Sequence, residues 1–130
     1  MKSSNQDFQY PIALVVDDEP LVRMDTVDMV EDEGFAVIEA RTIDEAFVFL
    51  TRHPSLKLVV TDMETPGSMN GCQLAWEVSR RWPDICVVVA SGAVRPNEGD
   101  LPNSAIFIAK PISADVVHEA IEEYCGCDVR

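Results

Sequence analysis

The residues best suited to chemistry in this chain stand directly after short apolar runs. Asp17 and Asp18 follow one run, Asp62 a second, Ser91 a third and Lys110 a fourth. If the ends of these runs meet, the carboxylates repel one another, and a divalent cation such as Mg2+, which prefers oxygen ligands, relieves that repulsion. A carboxylate can also attack a phosphoryl group, whose oxygens Lys110 and Ser91 could bind. The residue types therefore predict phosphoryl-transfer chemistry that uses Mg2+.

The apolar runs indicate buried strands. Their apolarity is continuous instead of alternating, which is typical of strands covered on both faces of a parallel sheet. Strands are predicted at residues 12–16, 35–39, 56–61, 85–90 and 105–109.

Residues that commonly start or stop helices lie between the predicted strands. In chain order they are Pro20 and Gly34, the capping-box pair Thr42 and Glu45 with Pro54 as a stop, the turn-rich residues 65–71 with Pro83 as a stop, and Ser113. Alternating strands and helices predict an α/β fold with a mostly parallel sheet and helices on both faces. In such sheets ligands bind outside the carboxyl ends of the strands, where the polar residues named above would meet.

Composition excludes several classes of function. The formal net charge is −13, from 10 basic and 23 acidic residues, so nucleic acid is an unfavourable partner while cations and basic protein surfaces are favourable ones. No apolar stretch approaches the roughly 20 residues that span a bilayer, and the polar N-terminus does not resemble a signal peptide. We expect a soluble, cytoplasmic protein without membrane contact.

Length predicts a single domain of 130 residues, with a flexible leader at 1–10, a folded domain at 11–125 and a tail at 126–130. We expect it to stand alone, without an output domain, although a piece of a larger hybrid kinase is an alternative. The four cysteines have no metal-site spacing, and Cys125 and Cys127 form a C-x-C. We therefore expect free thiols in a reducing cytosol, with Cys86 in the core.

The ordered set of polar residues resembles the response-regulator receiver domains of two-component signalling. The resemblance spans residues 12–124 and rests on Asp17-Asp18, Asp62, Pro66, Gly71, Ser91 and Lys110-Pro111. It implies a flavodoxin-like (βα)5 doubly wound parallel sheet with strand order 2-1-3-4-5. It also implies that the chain accepts a phosphoryl group without being an enzyme in the usual sense.

The resemblance implies a role for each site residue. Asp62 would be the phosphoacceptor, and Asp17, Asp18, Asp62 and the backbone carbonyl of Glu64 would bind Mg2+. Lys110 would pair with the phosphoryl oxygens and act in catalysis together with Asp62. Ser91 and Phe107 would form the switch that follows phosphorylation, although Phe107 could equally serve as a core aromatic residue of the fifth strand.

Two departures from the family pattern stand out. Thr65 occupies a position where the family usually has methionine, and the loop at 67–70 is one residue longer than the common pattern. Residues 92–104 carry Pro96, Gly99 and Pro102 where the family has its fourth helix. Because proline and glycine at this density oppose a regular helix, we expect that helix to be short, displaced or missing.

The implied partners are a sensor histidine kinase or a histidine phosphotransfer protein as donor and an unidentified protein as downstream target. Two alternatives remain at this point. The chain could be an aspartyl-phosphate phosphatase of the haloacid-dehalogenase type, although those enzymes carry an Asp-x-Asp nucleophile on strand one. It could also be a binding module, either a receiver-like one that does not use phosphate or a flavin-binding relative.

Overall fold

The computed structural model describes residues 10–53, 55–65, 69–92 and 95–125. Within these ranges five parallel strands form one sheet in the order β2-β1-β3-β4-β5, which confirms the predicted flavodoxin-like arrangement. The strands are β1 (Ile12–Val16), β2 (Ala36–Ala40), β3 (Leu58–Asp62), β4 (Cys86–Ser91) and β5 (Ala105–Ala109). The predicted tail at 126–130, Pro66 and the leader apart from Tyr10 lie outside the described residues.

Within the described residues, helices connect the strands at three of the four crossovers, and another follows β5. They are α1 (Pro20–Asp32), α2 (Ile43–Arg52), α3 (Gly71–Arg81) and α4 (Ala114–Glu119), which continues as a π-helical turn over Ala120–Cys125. Residues 95–104, the described part of the connection between β4 and β5, contain no helix. The expectation that the family's fourth helix is short, displaced or missing here is therefore confirmed for the described residues. The π-helical turn was not predicted from the sequence.

Local signals explain where the helices begin and end. Gly34 adopts φ 102° after α1, a left-handed conformation that glycine adopts without steric cost. The Thr42 side chain accepts a hydrogen bond from Glu45 N, but the Glu45 carboxylate accepts from Arg41 N instead of Thr42 N, so the predicted capping box is only half formed. A complete capping box joins Asn70 and Gln73 at the start of α3.

The core consists of two apolar layers, one on each face of the sheet. Residues from α2 and α3, such as Leu50 and Leu74, pack with Leu14 and Val89 on one face. Residues from α1 and α4, such as Val30 and Val117, pack with Val15 and Val88 on the other face. Adjacent strand residues thus enter opposite layers, which explains why the strand sequences are continuously apolar. None of the described helices is long and apolar enough to cross a membrane.

The expectation of free thiols is wrong for Cys86, which is disulfide-bonded. Cys72 is free and buried, and burial raises the pKa of its thiol, with a smaller contribution from Asp100. A disulfide requires the Cα atoms of two cysteines to lie within about 7 Å. Spacing in the sequence does not give that distance, so composition alone could not identify the bond.

Candidate functional site

The register of the sheet brings the predicted site residues to one edge. Val16 pairs with Thr61, and Asp62 pairs with Ala90, so the residues that follow β1 lie beside the end of β3. The carboxylates of Asp17, Asp18 and Asp62 each offer an oxygen atom, and these atoms all lie within 4.8 Å of one another. The three acids that were predicted to meet therefore do so.

Lys110, the residue after β5, contacts two of these acids. Its Nζ atom lies 3.2 Å from Asp62 Oδ1 and 3.5 Å from Asp17 Oδ2. Partial burial of the Lys110 side chain lowers its pKa, but the charges and hydrogen bonds of Asp17 and Asp62 together outweigh this, so the pKa lies above its ordinary value. Lys110 is therefore a permanent cation at neutral pH. We call Asp17, Asp18, Asp62 and Lys110 the acid pocket.

Burial differs sharply among the three acids. Asp17 is only 4% exposed, and its two carboxylate oxygens contact Glu19 N and Lys110 Nζ. Asp62 is partly buried and Asp18 is exposed. Asp18 and Asp62 therefore present the accessible oxygens, while Asp17 is held in place from the protein side.

The donor set of the acid pocket fits a hard divalent cation. Three carboxylates face a single lysine, and like charges at this spacing repel. Oxygen-only ligands suit Mg2+, which commonly uses one or two carboxylates and retains water. Asp17, Asp18 and Asp62 could hold such an ion. Glu64, whose backbone carbonyl was predicted as a further ligand, lies in the turn after Asp62 and is exposed.

The backbone of Asp62 is fixed by neighbouring hydroxyl groups. Thr61 Oγ1 and Thr65 Oγ1 each donate to the Asp62 carbonyl oxygen at 3.0 Å. Thr65 is buried, so this hydrogen bond gives a local reason for threonine where the family usually has methionine. The departure from the family pattern therefore adds a tether to the predicted acceptor.

The start of α3 packs directly on the same backbone. Gly71 N donates to Met63 O at 2.8 Å, and Met63 N donates to Ala90 O at 2.8 Å. A Cβ atom at Gly71 would lie 2.7 Å from Asp62 O and 2.9 Å from Met63 Cα. Because side chains do not approach backbone atoms this closely, position 71 requires glycine.

Ser91 and Phe107 occupy neighbouring strands at or near the same edge. Ser91 is the last residue of β4 and is 2% exposed, and its carbonyl accepts from Lys110 N at 3.0 Å. Phe107 pairs with Val89 in the sheet and is partly buried. The guanidinium of Arg95 lies 5.1 Å from the centre of the Phe107 ring, within the range of a cation–π contact.

Arg23, which lies behind the acid pocket, was not predicted from the sequence. Its Nη1 donates to the carbonyl oxygen of Asp17 at 2.9 Å, and its Nε donates to Glu39 Oε1 at 2.9 Å. The signal available in the sequence was a basic residue on the helix that follows the acid pair. It is weak, because it does not indicate which side of the helix faces β1.

Comparison with known proteins agrees with this architecture. The model of the response regulator receiver domain family matches residues 13–122. The match covers most of the chain, so the chain belongs to the response-regulator receiver family.

Individual relatives match part of the chain at moderate sequence identity. The hydrogenase transcriptional regulatory protein HoxA of Cupriavidus necator is 38% identical over 79 residues, covering 61% of this chain and 16% of that protein. The nitrogen assimilation regulatory protein NtrX of Azorhizobium caulinodans is 33% identical over 107 residues, covering 78% and 23%. The chain thus spans less than a quarter of the length of these curated relatives.

Among solved structures, a response regulator receiver protein from Sinorhizobium medicae superposes with a TM-score of 0.84. The superposition covers 92% of this chain and 98% of that one at 21% sequence identity. At this identity the similarity supports the fold alone.

Proposed function

We propose that this chain accepts a phosphoryl group from a phosphohistidine onto Asp62 and signals to a protein partner. The observation that carries the proposal is the position of Asp62 at the end of β3, with its carboxylate within 4.8 Å of those of Asp17 and Asp18 and 3.2 Å from Lys110 Nζ. Membership of the receiver family supports the same chemistry. The donor would be a sensor histidine kinase or a histidine phosphotransfer protein in the cytoplasm.

The residues of the acid pocket suggest how the transfer proceeds. A carboxylate oxygen of Asp62 attacks phosphorus, an O–P bond forms, and the P–N bond to the donor imidazole breaks. The imidazole takes up a proton as it leaves. Lys110 remains charged because its pKa is raised, so it can balance charge on the phosphoryl oxygens. A loose transition state requires mainly positioning and charge neutralisation of this kind.

Asp17, Asp18, Asp62 and the backbone carbonyl of Glu64 would hold Mg2+. When bound, the ion would offset the combined negative charge of the carboxylates and the phosphoryl oxygens. Hydrolysis of the resulting acyl phosphate by water would restore Asp62. The chain then takes part in both reactions of its own carboxylate and is a phosphoacceptor, not an enzyme with a separate substrate.

The output would begin at Ser91 and Phe107. Ser91 lies on the strand beside Asp62, and Phe107 lies on the next strand, which places both within two strands of the proposed phosphorylation site. Such a group shifts a conformational equilibrium only through contacts that differ between the two states. Because Arg95 contacts the Phe107 ring, the segment after β4 would move with that ring.

Incubation with Mg2+ and acetyl phosphate, followed by intact-mass analysis, tests the proposal. We expect one added phosphoryl group on the wild-type protein and none on Asp62→Asn, which keeps the size of the side chain but removes the nucleophile. Asp84→Asn is the matched control, because Asp84 is an exposed acid in the turn before β4 and should leave the reaction unchanged. A wild-type protein that stays unmodified under these conditions would favour a phosphate-independent binding module.

A second assay separates the proposal from the phosphatase alternative. Sustained turnover of a small phosphomonoester such as p-nitrophenyl phosphate would favour an aspartyl-phosphate phosphatase. We expect no such turnover, because the predicted nucleophile follows β3 and not β1.

A further inference from the structure

The backbone of Asp17 is held from two directions. Its N–H donates to Ala40 O on β2 at 3.0 Å, and its carbonyl oxygen accepts from Arg23 Nη1 at 2.9 Å. Its side chain is held as well, by Glu19 N and Lys110 Nζ. Asp17 therefore has little freedom to respond to a ligand, and its conformation depends on the groups around it.

The carbonyl oxygen that Arg23 binds belongs to the peptide bond between Asp17 and Asp18. A peptide group is planar, so fixing its oxygen also fixes the direction in which the chain enters Asp18. Asp18 is exposed and presents one of the accessible carboxylates of the acid pocket. Arg23 therefore controls where the exposed acid of the pair begins.

Arg23 is itself held in place by Glu39. The Arg23 side chain is 14% exposed, and its Nε atom lies 2.9 Å from Oε1 of Glu39, the penultimate residue of β2. The two hydrogen bonds use different nitrogen atoms of one planar guanidinium, a geometry that a lysine ammonium cannot reproduce. Arg23 thus bridges α1, β2 and the loop after β1.

The charge of Glu39 also matters for a cation nearby. An unpaired guanidinium this close to Asp17 would oppose the binding of a divalent cation, because like charges repel. Paired with Glu39, Arg23 can supply hydrogen bonds while adding little net charge. The pair is therefore suited to hold the loop after β1. Neutralising the acid pocket is the role of Lys110.

We propose that Arg23, oriented by Glu39, is a positioning residue that sets the affinity of the acid pocket for Mg2+. The inference rests on the proposed function in that it takes Asp17 and Asp18 as the cation-binding pair. Arg23 acts through the Asp17–Asp18 peptide and touches neither the ion nor the phosphoryl group.

A charge-balanced double variant, R23M/E39Q, tests the inference. It removes the tether while leaving the net charge of the protein unchanged, so a change in affinity reflects position and not charge. Titration with Mg2+ alone, measured by isothermal calorimetry without phosphodonor, should show binding about tenfold weaker than wild type, the usual scale for removing a group that orients metal ligands. Arg23→Lys keeps the positive charge but not the planar guanidinium that makes both hydrogen bonds. We therefore expect a similar loss of Mg2+ affinity.

Two further measurements exclude a general loss of structure. E39Q alone keeps an acceptor for Arg23 Nε but leaves the guanidinium charge unbalanced, so it should weaken Mg2+ binding less than R23M/E39Q does. Phosphorylation of R23K by acetyl phosphate should return to the wild-type rate at saturating Mg2+, because Asp62 and Lys110 are intact. Wild-type Mg2+ affinity in both R23M/E39Q and R23K would overturn the inference, as would a rate defect that saturating Mg2+ does not restore.

Failure of this inference is distinguishable from failure of the proposed function. If the wild-type protein takes up a phosphoryl group but both Arg23 variants bind Mg2+ normally, the positioning role alone is wrong. If the variants bind Mg2+ weakly but Asp62 is never phosphorylated, the proposed function alone is wrong.

Discussion

The acid pocket and the segment between β4 and β5 are built in different ways. The pocket lies at the carboxyl ends of the strands, and the segment runs from that edge back to the opposite one, where β5 begins. In the acid pocket the backbone of Asp17 is fixed by β2 and α1, and that of Asp62 by Thr61 and Thr65. Residues 95–104 contain no helix. They are anchored chiefly by side chains, so local opening should be easier there than at the acid pocket.

A few residues of this segment, which contains no described helix, pack against the rest of the domain. Leu101 packs against the core layer formed with α2 and α3, and Pro102 is buried. Trp76 on α3 donates from Nε1 to Asp100 O at 2.9 Å although the residue is 49% exposed. The acid pocket is thus held by several backbone and side-chain hydrogen bonds, whereas the segment between β4 and β5 is held by a few contacts.

Paired glycine substitutions give the largest expected contrast between the two regions. In Gly71→Ala the new Cβ would lie 2.7 Å from Asp62 O, so the start of α3 must move, which should cost about 2 to 3 kcal/mol of unfolding free energy and slow phosphorylation. Gly99 has φ 91°, and a Cβ atom added there would meet no atom within 4 Å. Gly99→Ala should cost about 1 kcal/mol through backbone strain alone.

Urea denaturation and phosphorylation by acetyl phosphate check this pair. Gly99→Ala should phosphorylate like wild type, since the strain is confined to the segment between β4 and β5. Equal phosphorylation rates for the two variants would contradict this contrast between the two regions. So would a free energy of unfolding for Gly71→Ala that is higher than that of Gly99→Ala.

Removal of the lysine tests the electrostatics of the acid pocket. Lys110→Met leaves Asp17 and Asp62 without their cation, and because Lys110 is 23% exposed, we expect a loss of about 1 to 2 kcal/mol without metal. Mg2+ neutralises the same carboxylates, so it should raise the melting temperature of the variant more than that of wild type. Lys57→Met, at an exposed lysine, is the control and should show the wild-type response to Mg2+.

A substitution at Trp76 gives the smallest expected effect and isolates the other region. Trp76→Phe removes the hydrogen bond to Asp100 O but keeps an aromatic ring, and we expect a loss of about 1 kcal/mol or less. Calorimetric titration should give an unchanged Mg2+ affinity, because Trp76 does not contact the acid pocket. A weaker affinity would mean that the two regions are coupled more tightly than their contacts indicate.

The sequence determined the strands, their order of appearance and the residues at their ends. Short continuous apolar runs that alternate with helix signals favour strands buried on both faces, and parallel topology then brings Asp17, Asp62 and Lys110 together. The sequence also indicated the missing helix, since Pro96, Gly99 and Pro102 act locally on the backbone. Strand ends shifted by one or two residues: β3 ends at Asp62 instead of Thr61, because pairing with β4 decides where a strand stops.

The tertiary structure decided the contacts between residues that are remote in sequence. Glu39 and Arg23, which form an ion pair, are 16 positions apart. The close approach of Gly71 to the Asp62 backbone depends on where α3 begins. The disulfide of Cys86 and the π-helical turn after α4 belong to the same group. Local propensities act over a few residues, whereas hydrogen bonds, disulfides and close packing depend on distances that exist only once the sheet and its helices have assembled.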